Sequence, residues 1–169
     1  MSDTSTAEKS HAAARGGKFL TFGLGDEEYG IPILKVREII VYMEITAVPQ
    51  TPPYVKGIIN LRGQVISVLD LRTRFEMPPA DATDQTCIVV VEVVAERRRV
   101  CIGLVVDRVS EVLSISADKI EDTPSFGVRV DTAFILGMGK IGKSVKILLD
   151  IDKILTAAEA DVLPELQAA

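Results

Sequence analysis

The sequence predicts an all-β fold of two small barrels with short helices, and three observations carry that prediction. The same apolar pattern occurs twice. Gly30-Ile31-Pro32-Ile33-Leu34-Lys35-Val36-Arg37-Glu38-Ile39-Ile40 returns 73 positions later as Gly103-Leu104-Val105-Val106-Asp107-Arg108-Val109-Ser110-Glu111-Val112-Leu113. Gly57…Val65…Val68-Leu69-Asp70-Leu71 returns 80 positions later as Gly137…Val145…Leu148-Leu149-Asp150-Ile151. Two copies are too few for a solenoid, so a duplicated module packed against itself is expected. The apolar runs are short, β-branched and bounded by turn residues, the pattern of strands in small barrels. The chain of 169 residues, 47% of them hydrophobic, is long enough to bury one ordinary core or two small ones.

The elements follow in order. Residues 1–16 are Ser, Thr, Ala and charge, and read as a tail that cannot bury enough surface to order itself. Phe19–Leu24 and Tyr29–Ile33 read as strands joined by the turn Gly25-Asp26-Glu27-Glu28. Lys35–Ile40 fits a helical turn or a strand equally well. Pro49, Pro52 and Pro53 then break the chain. Gly57–Leu61, the turn Arg62-Gly63 and Gln64–Leu69 form the clearest hairpin. Asp70 is placed to N-cap a short helix carrying Arg72 and Phe75. After a loop over Met77–Gln85, the second copy supplies Thr86–Val94, a basic turn Glu96-Arg97-Arg98-Arg99, Val100–Val106 and Val109–Ile115. The linker Ser116–Thr132 leads to a final hairpin over Phe134–Ile151, with Asp150 read as a cap like Asp70. Asp152 is placed to cap a closing helix over Lys153–Asp161.

Catalytic equipment is sparse. His11, the one histidine, lies in the tail, which removes His-based triads and most zinc sites. Cys87 and Cys101 sit inside strand-like runs and read as buried reduced thiols. A net charge of −5 and the absence of Trp argue against nucleic acid as a partner. No apolar run approaches the ~20 residues that span a bilayer. The first residues hold no apolar block of the signal-peptide kind, so a cytosolic protein is expected. Gly137-Met138-Gly139-Lys140-Ile141-Gly142-Lys143-Ser144 spells a phosphate-binding loop. That mechanism needs a helix after the loop, and the β-branched run from Val145 reads as a strand. The same place in the first copy is the ordinary turn Asn60-Leu61-Arg62-Gly63, so a Gly-rich hairpin turn is expected. Glu38 and Arg62 stand out among the charged residues, because an Arg among aliphatic neighbours is common hot-spot chemistry at protein interfaces. Since Glu111 repeats Glu38, a structural role in both modules is an equally open reading.

Lys56-Gly57-Ile58-Ile59-Asn60-Leu61-Arg62-Gly63, Leu69-Asp70-Leu71-Arg72, Phe19–Ile33, Val36-x-Glu38-Ile39 and Gly103–Leu113 together resemble the CheW family of chemotaxis adaptors. The likeness covers about residues 17–160, leaving 161–169 as a second tail. It implies two tandem SH3-like five-stranded β-barrels, with short helices and a C-terminal helix. It implies a non-catalytic adaptor, without cofactor or metal, that couples chemoreceptor cytoplasmic tips to the histidine kinase CheA. Such a protein is recruited to receptor arrays at the inner face of the membrane without inserting into it. By motif position the receptor hairpin would face Ile33, Val36, Glu38, Arg62 and Cys87, although an aliphatic residue is usual at the last. The kinase regulatory domain would meet Ile45, Gly57 and the Pro124-Ser125-Phe126 segment. The alternatives are a detached kinase regulatory-type domain and a small nucleotide-binding protein using Gly137–Ser144.

Overall fold

The computed structural model describes residues 16–95, 98–122 and 134–154. Among the described residues eleven strands run in the order β1 (Gly17–Leu24), β2 (Glu27–Pro32), β3 (Val36–Val41), β4 (Val55–Leu61), β5 (Gln64–Asp70), β6 (Cys87–Ala95), β7 (Arg98–Val106), β8 (Arg108–Ile115), β9 (Ile120–Glu121), β10 (Ile135–Ile141) and β11 (Ser144–Leu149). They form a six-stranded sheet, β8-β1-β2-β11-β10-β9, and a five-stranded sheet, β3-β6-β7-β5-β4. The all-β prediction of two SH3-like units holds. The ambiguous segment resolves into a 3-10 turn, Ile33–Lys35, followed by β3.

Each sheet takes strands from both copies. The hairpin β1–β2 of the first copy joins β8–β11 of the second, and β6–β7 of the second joins β3–β5 of the first. The duplication is visible in the ladders. β5 pairs with β7 in parallel at Ser67↔Ile102, and β11 pairs with β2 in parallel at the repeated positions, Ile147↔Tyr29. The Asp70 amide donates to the Tyr54 carbonyl at 2.8 Å, and the Asp150 amide donates to the Phe134 carbonyl at 2.8 Å. The short β9 corresponds to the single bridge Thr46↔Ile58 beside β4. The two barrels are therefore tandem in sequence order but interleaved in space.

Alternation along the strands distributes the core into three parts. Ile59, Ile66, Val68, Ile88 and Val90 fill the five-stranded barrel. Phe19, Ile115, Ile120 and Leu148 fill the six-stranded one. Between the sheets lies the largest cluster, which includes Leu20, Phe22 and Ile31 from one sheet and Leu69, Val89 and Leu104 from the other.

Several local expectations are met and some are corrected. Asp70 caps the one-turn helix Leu71–Arg74, its carboxylate accepting from the Arg72 amide at 3.0 Å. Asp150 makes no such side-chain bond. Asp152 lies within a 3-10 turn, Ile151–Lys153, and its carboxylate accepts from Lys35 and from the Val94 amide. The rest of the expected closing helix falls outside the described residues. Both cysteines are free and half-buried rather than buried, and desolvation pushes the Cys101 thiol pKa up, which keeps it protonated. Gly137–Ser144 is β10 turning into β11, with Gly142 at φ 59. A strand follows the glycines, so no helix N-terminus faces a phosphate there.

Where β7 passes into β8, Asp107 accepts from Arg72 Nε at 2.9 Å and from the Gly25 amide at 2.8 Å. The Arg72 bonds hold the Asp107 carboxyl below the ordinary aspartate range, against the opposing effect of burial. Asp107→Asn is expected to cost up to about 1 kcal/mol at neutral pH, the pair being partly screened by solvent. Because the native pKa is lowered, this stability is complete above the unfolded-state value of about 3.9 and is lost as the pH falls through the native value. Urea titrations of wild type and variant should therefore differ at neutral pH and converge below about pH 4. A constant gap across that range would mean that another group holds the junction.

Candidate partner-binding surface

Two of the candidate residues, Val36 and Glu38, lie on β3, and a bulge divides them. Val36 stands opposite Val91, whereas Glu38 stands opposite Val90, one residue out of step. Val91 belongs to the core between the sheets and Val90 to the core of the five-stranded barrel. The bulge thus turns Val36 and Glu38 to opposite faces of the sheet. Val36 packs against the central core together with Ile33 and Cys87, whose thiol donates to the Gln85 carbonyl at 3.3 Å. Glu38 shares its face with Ile40, which packs on the barrel core.

On that second face Glu38 meets Arg62. Arg62 Nη1 donates to Glu38 Oε1 at 2.8 Å, and Nη2 donates to the other carboxylate oxygen. The fork matches the carboxylate in both bonds. It holds the Glu38 carboxyl below, and the Arg62 guanidinium above, their ordinary ranges. The five predicted residues therefore form two neighbourhoods: an apolar patch of Ile33, Val36 and Cys87, and the ion pair of Glu38 and Arg62. They do not form a clamp of opposite charges around Ile33 and Val36.

The hairpin turn explains Arg62 only in part. Arg62 has φ 54 and Gly63 φ 84, the two left-handed residues of a tight hairpin. The Gly63 amide donates to Asn60 Oδ1 at 2.8 Å. In the second copy the position of Arg62 is taken by Gly142, at φ 59. Glycine is what this backbone prefers. The first copy bears the strain of a side chain there, so the guanidinium answers a need other than turning the chain.

The surface around β3 is more apolar than the sequence reading anticipated. Leu34 is 92% exposed, Val41 76% and Ile39 42%. Ile39 and Val41 stand opposite Val89 and Cys87, on the same face as Val36. Together with Ile33 they make an apolar strip along the outermost strand of the five-stranded sheet. Their signal was the alternation in Val36–Val41, hidden because that segment fits a helical turn as well as a strand.

The predicted kinase-side residues are differently placed. Ile45 packs partly on the core of the five-stranded barrel. Gly57 is buried at a second bulge, where β4 passes under the Thr46 bridge. Phe126 lies outside the described residues. Of the basic turn, Arg99 reaches Glu92 at 4.0 Å, and Glu92 also accepts from Arg37. Among the described residues no group of His, Cys, Asp and Glu could hold a metal ion, and no helix is long and apolar enough to cross a membrane.

Two barrels with an apolar strip on an outer strand, bordered by a charged pair, present the kind of surface that binds another protein. The CheW-like domain model matches residues 18–159. The "Chemotaxis protein CheW" of Klebsiella aerogenes is 40% identical over 159 residues, covering 94% of this chain and 93% of that protein. A "Probable chemotaxis protein CheW" of Rhizobium etli is 35% identical over 144 residues, covering 85% and 90%. The crystal structure of the scaffolding protein TtCheW from Thermoanaerobacter tengcongensis superposes with a TM-score of 0.74 at 34% identity, covering 83% of this chain and 92% of that one. The chain belongs to the CheW family of chemotaxis scaffold proteins.

Proposed function

We propose that this protein is a non-catalytic adaptor, working in the cytoplasm, that couples the cytoplasmic tips of chemoreceptors to the regulatory domain of the histidine kinase CheA in signalling arrays. The observation that carries the receptor side is the apolar strip of Val36, Ile39 and Val41 on an outer strand, continued by Ile33 in the turn before it. A receptor tip is an amphipathic helical hairpin, and an exposed apolar strip with a charged border is a fitting partner for its apolar face. Glu38 and Arg62 supply that border, and Arg62 stands where the second copy keeps the glycine that the turn favours. The kinase's regulatory domain has a related fold and would pair barrel to barrel, using the Ile45 and Gly57 side of the five-stranded unit and the segment around Phe126. Residues 17–160 would form the adaptor module.

Arg62→Ala tests the receptor side. Its ion pair with Glu38 is exposed, so the urea unfolding midpoint should stay close to that of the wild type. Binding to a receptor cytoplasmic fragment should weaken by about 2 kcal/mol, the scale of an interface hot spot. Binding to the kinase regulatory domain should hold steady. Titrations of the same variant against both partners decide the matter, and normal receptor binding would remove Arg62 from the surface. Calorimetric titration with ATP and magnesium should show no heat. Binding at about micromolar concentration, abolished in Lys143→Ala, would instead favour a nucleotide site at Gly137–Ser144.

A further inference from the structure

The 3-10 turn Ile33–Lys35 carries the chain from one sheet to the other, held from within by Ile33 packing partly on the central core and by the Val36 amide donating to the Ile33 carbonyl. None of its residues is buried, and its N-cap, Pro32, offers no side-chain bond. Lys35 is its anchor. The Lys35 ammonium donates to both carboxylate oxygens of Asp152, at 2.9 and 2.8 Å. Asp152 Oδ1 also accepts from the Val94 amide at 2.8 Å. One carboxylate thus joins the crossover turn, the end of β6 and the turn that follows β11. Those elements belong to both sheets.

The same device stands on the other side of the duplication with its charges exchanged. There Asp107, at the crossover from β7 to β8, accepts from Arg72 and from the Gly25 amide. Arg72 and Asp152 occupy matching places after β5 and β11, and Asp107 and Lys35 lie at the two crossovers. Gly25 and Val94 are the amides at the ends of the matching strands β1 and β6. In both clasps a carboxylate takes one side-chain cation and one strand-end amide. The recurrence marks a built feature rather than a chance surface pair. Only the Lys35 clasp stands at the apolar strip, because Lys35 lies between Ile33 and Val36 in the chain.

We infer that Asp152 is a positioning residue for the receptor-facing strip: through Lys35 it fixes the turn that carries Ile33 and Leu34 against β3, without itself touching the partner. This inference rests on the proposed receptor side. The side chains of the turn can meet a helical partner in one register only if the turn is held, and losing the clasp would make the partner order it on binding.

The full chain is tested as Asp152→Asn, Lys35→Met, the double variant, Asp107→Asn and Ile33→Asp, against a receptor cytoplasmic fragment, with thermal melting recorded for each. Asp152→Asn and Lys35→Met should each weaken receptor binding by about five- to ten-fold, the range of coupling between neighbouring groups. The double variant should bind no worse than either, since both remove one clasp. Asp107→Asn should lower the melting temperature comparably and leave receptor binding unchanged. Should Asp152→Asn fail to fold, Lys35→Met carries the test, because it leaves the bond to Val94 in place. If Ile33→Asp loses binding while the clasp variants bind as wild type, the inference is wrong and the receptor reading stands. If Ile33→Asp binds normally while Asp152→Asn does not, Asp152 is itself a contact and the positioning role is overturned. If none changes, the receptor reading and the inference fall together.

Discussion

Gly57→Ala should destabilise the protein by about 2–4 kcal/mol, combining strain at a special backbone position with the loss of a pair of backbone hydrogen bonds. Gly57 has φ 152, a conformation that side chains rarely adopt. A Cβ placed there would lie 2.1 Å from the Thr46 carbonyl oxygen, 2.7 Å from its carbon and 2.8 Å from Ile45 Cγ2. Two of those atoms are backbone, so no change of rotamer relieves the clash. The carbonyl that is struck accepts from the Ile58 amide at 2.9 Å, and the Thr46 amide donates back to Ile58 at 2.9 Å. An added methyl must therefore open this bridge or shift β4. Gly63→Ala is the control. Its φ of 84 is also positive, but a Cβ there meets nothing within 4 Å. It should cost only about 1 kcal/mol of backbone strain. Urea unfolding of both variants separates steric conflict from strain, and equal losses would show that the bridge does not crowd Gly57.

Much of this architecture was legible in the chain. The repeat, the hairpin at Arg62-Gly63, the Asp70 cap and the strand after Gly142 all follow from local rules of turn chemistry and alternation. The exchange of hairpins between the sheets was not, and the reason is physical. Both copies carry the same apolar pattern, so periodicity cannot say whether β1–β2 closes on β3–β5 or on β8–β11. The separation of Glu38 from Val36 was hidden for a similar reason. A one-residue bulge reverses the face of every side chain beyond it, and nothing in Val36-Arg37-Glu38 announces one. Leu34, Ile39 and Val41 were missed as surface residues because apolar character alone reads as core.

The interleaving makes Leu69→Ala a test of the whole molecule rather than of one barrel. Leu69 is fully buried and stands opposite Val55 on β4 and Leu104 on β7. It belongs to the core between the sheets, where residues from both meet. Truncation should cost about 2–5 kcal/mol, as for other buried leucines that leave a cavity. The loss should appear as a single transition, since neither sheet can be completed by one copy alone. Tyr29 lies in the six-stranded sheet, and Tyr54 immediately precedes β4 of the five-stranded one. With no Trp in the chain, tyrosine fluorescence reports on both. Tyr42, which packs on the core of the five-stranded barrel, emits together with Tyr54, so comparing Tyr29→Phe with a Tyr42→Phe/Tyr54→Phe double variant assigns the signal to each sheet. Coincident midpoints, both lowered by Leu69→Ala, are the expected result. A cost under about 1 kcal/mol would mean that β5 is not a central strand. Separate midpoints would mean that each barrel holds together alone, and that exchanged hairpins do not bind the two into one folding unit.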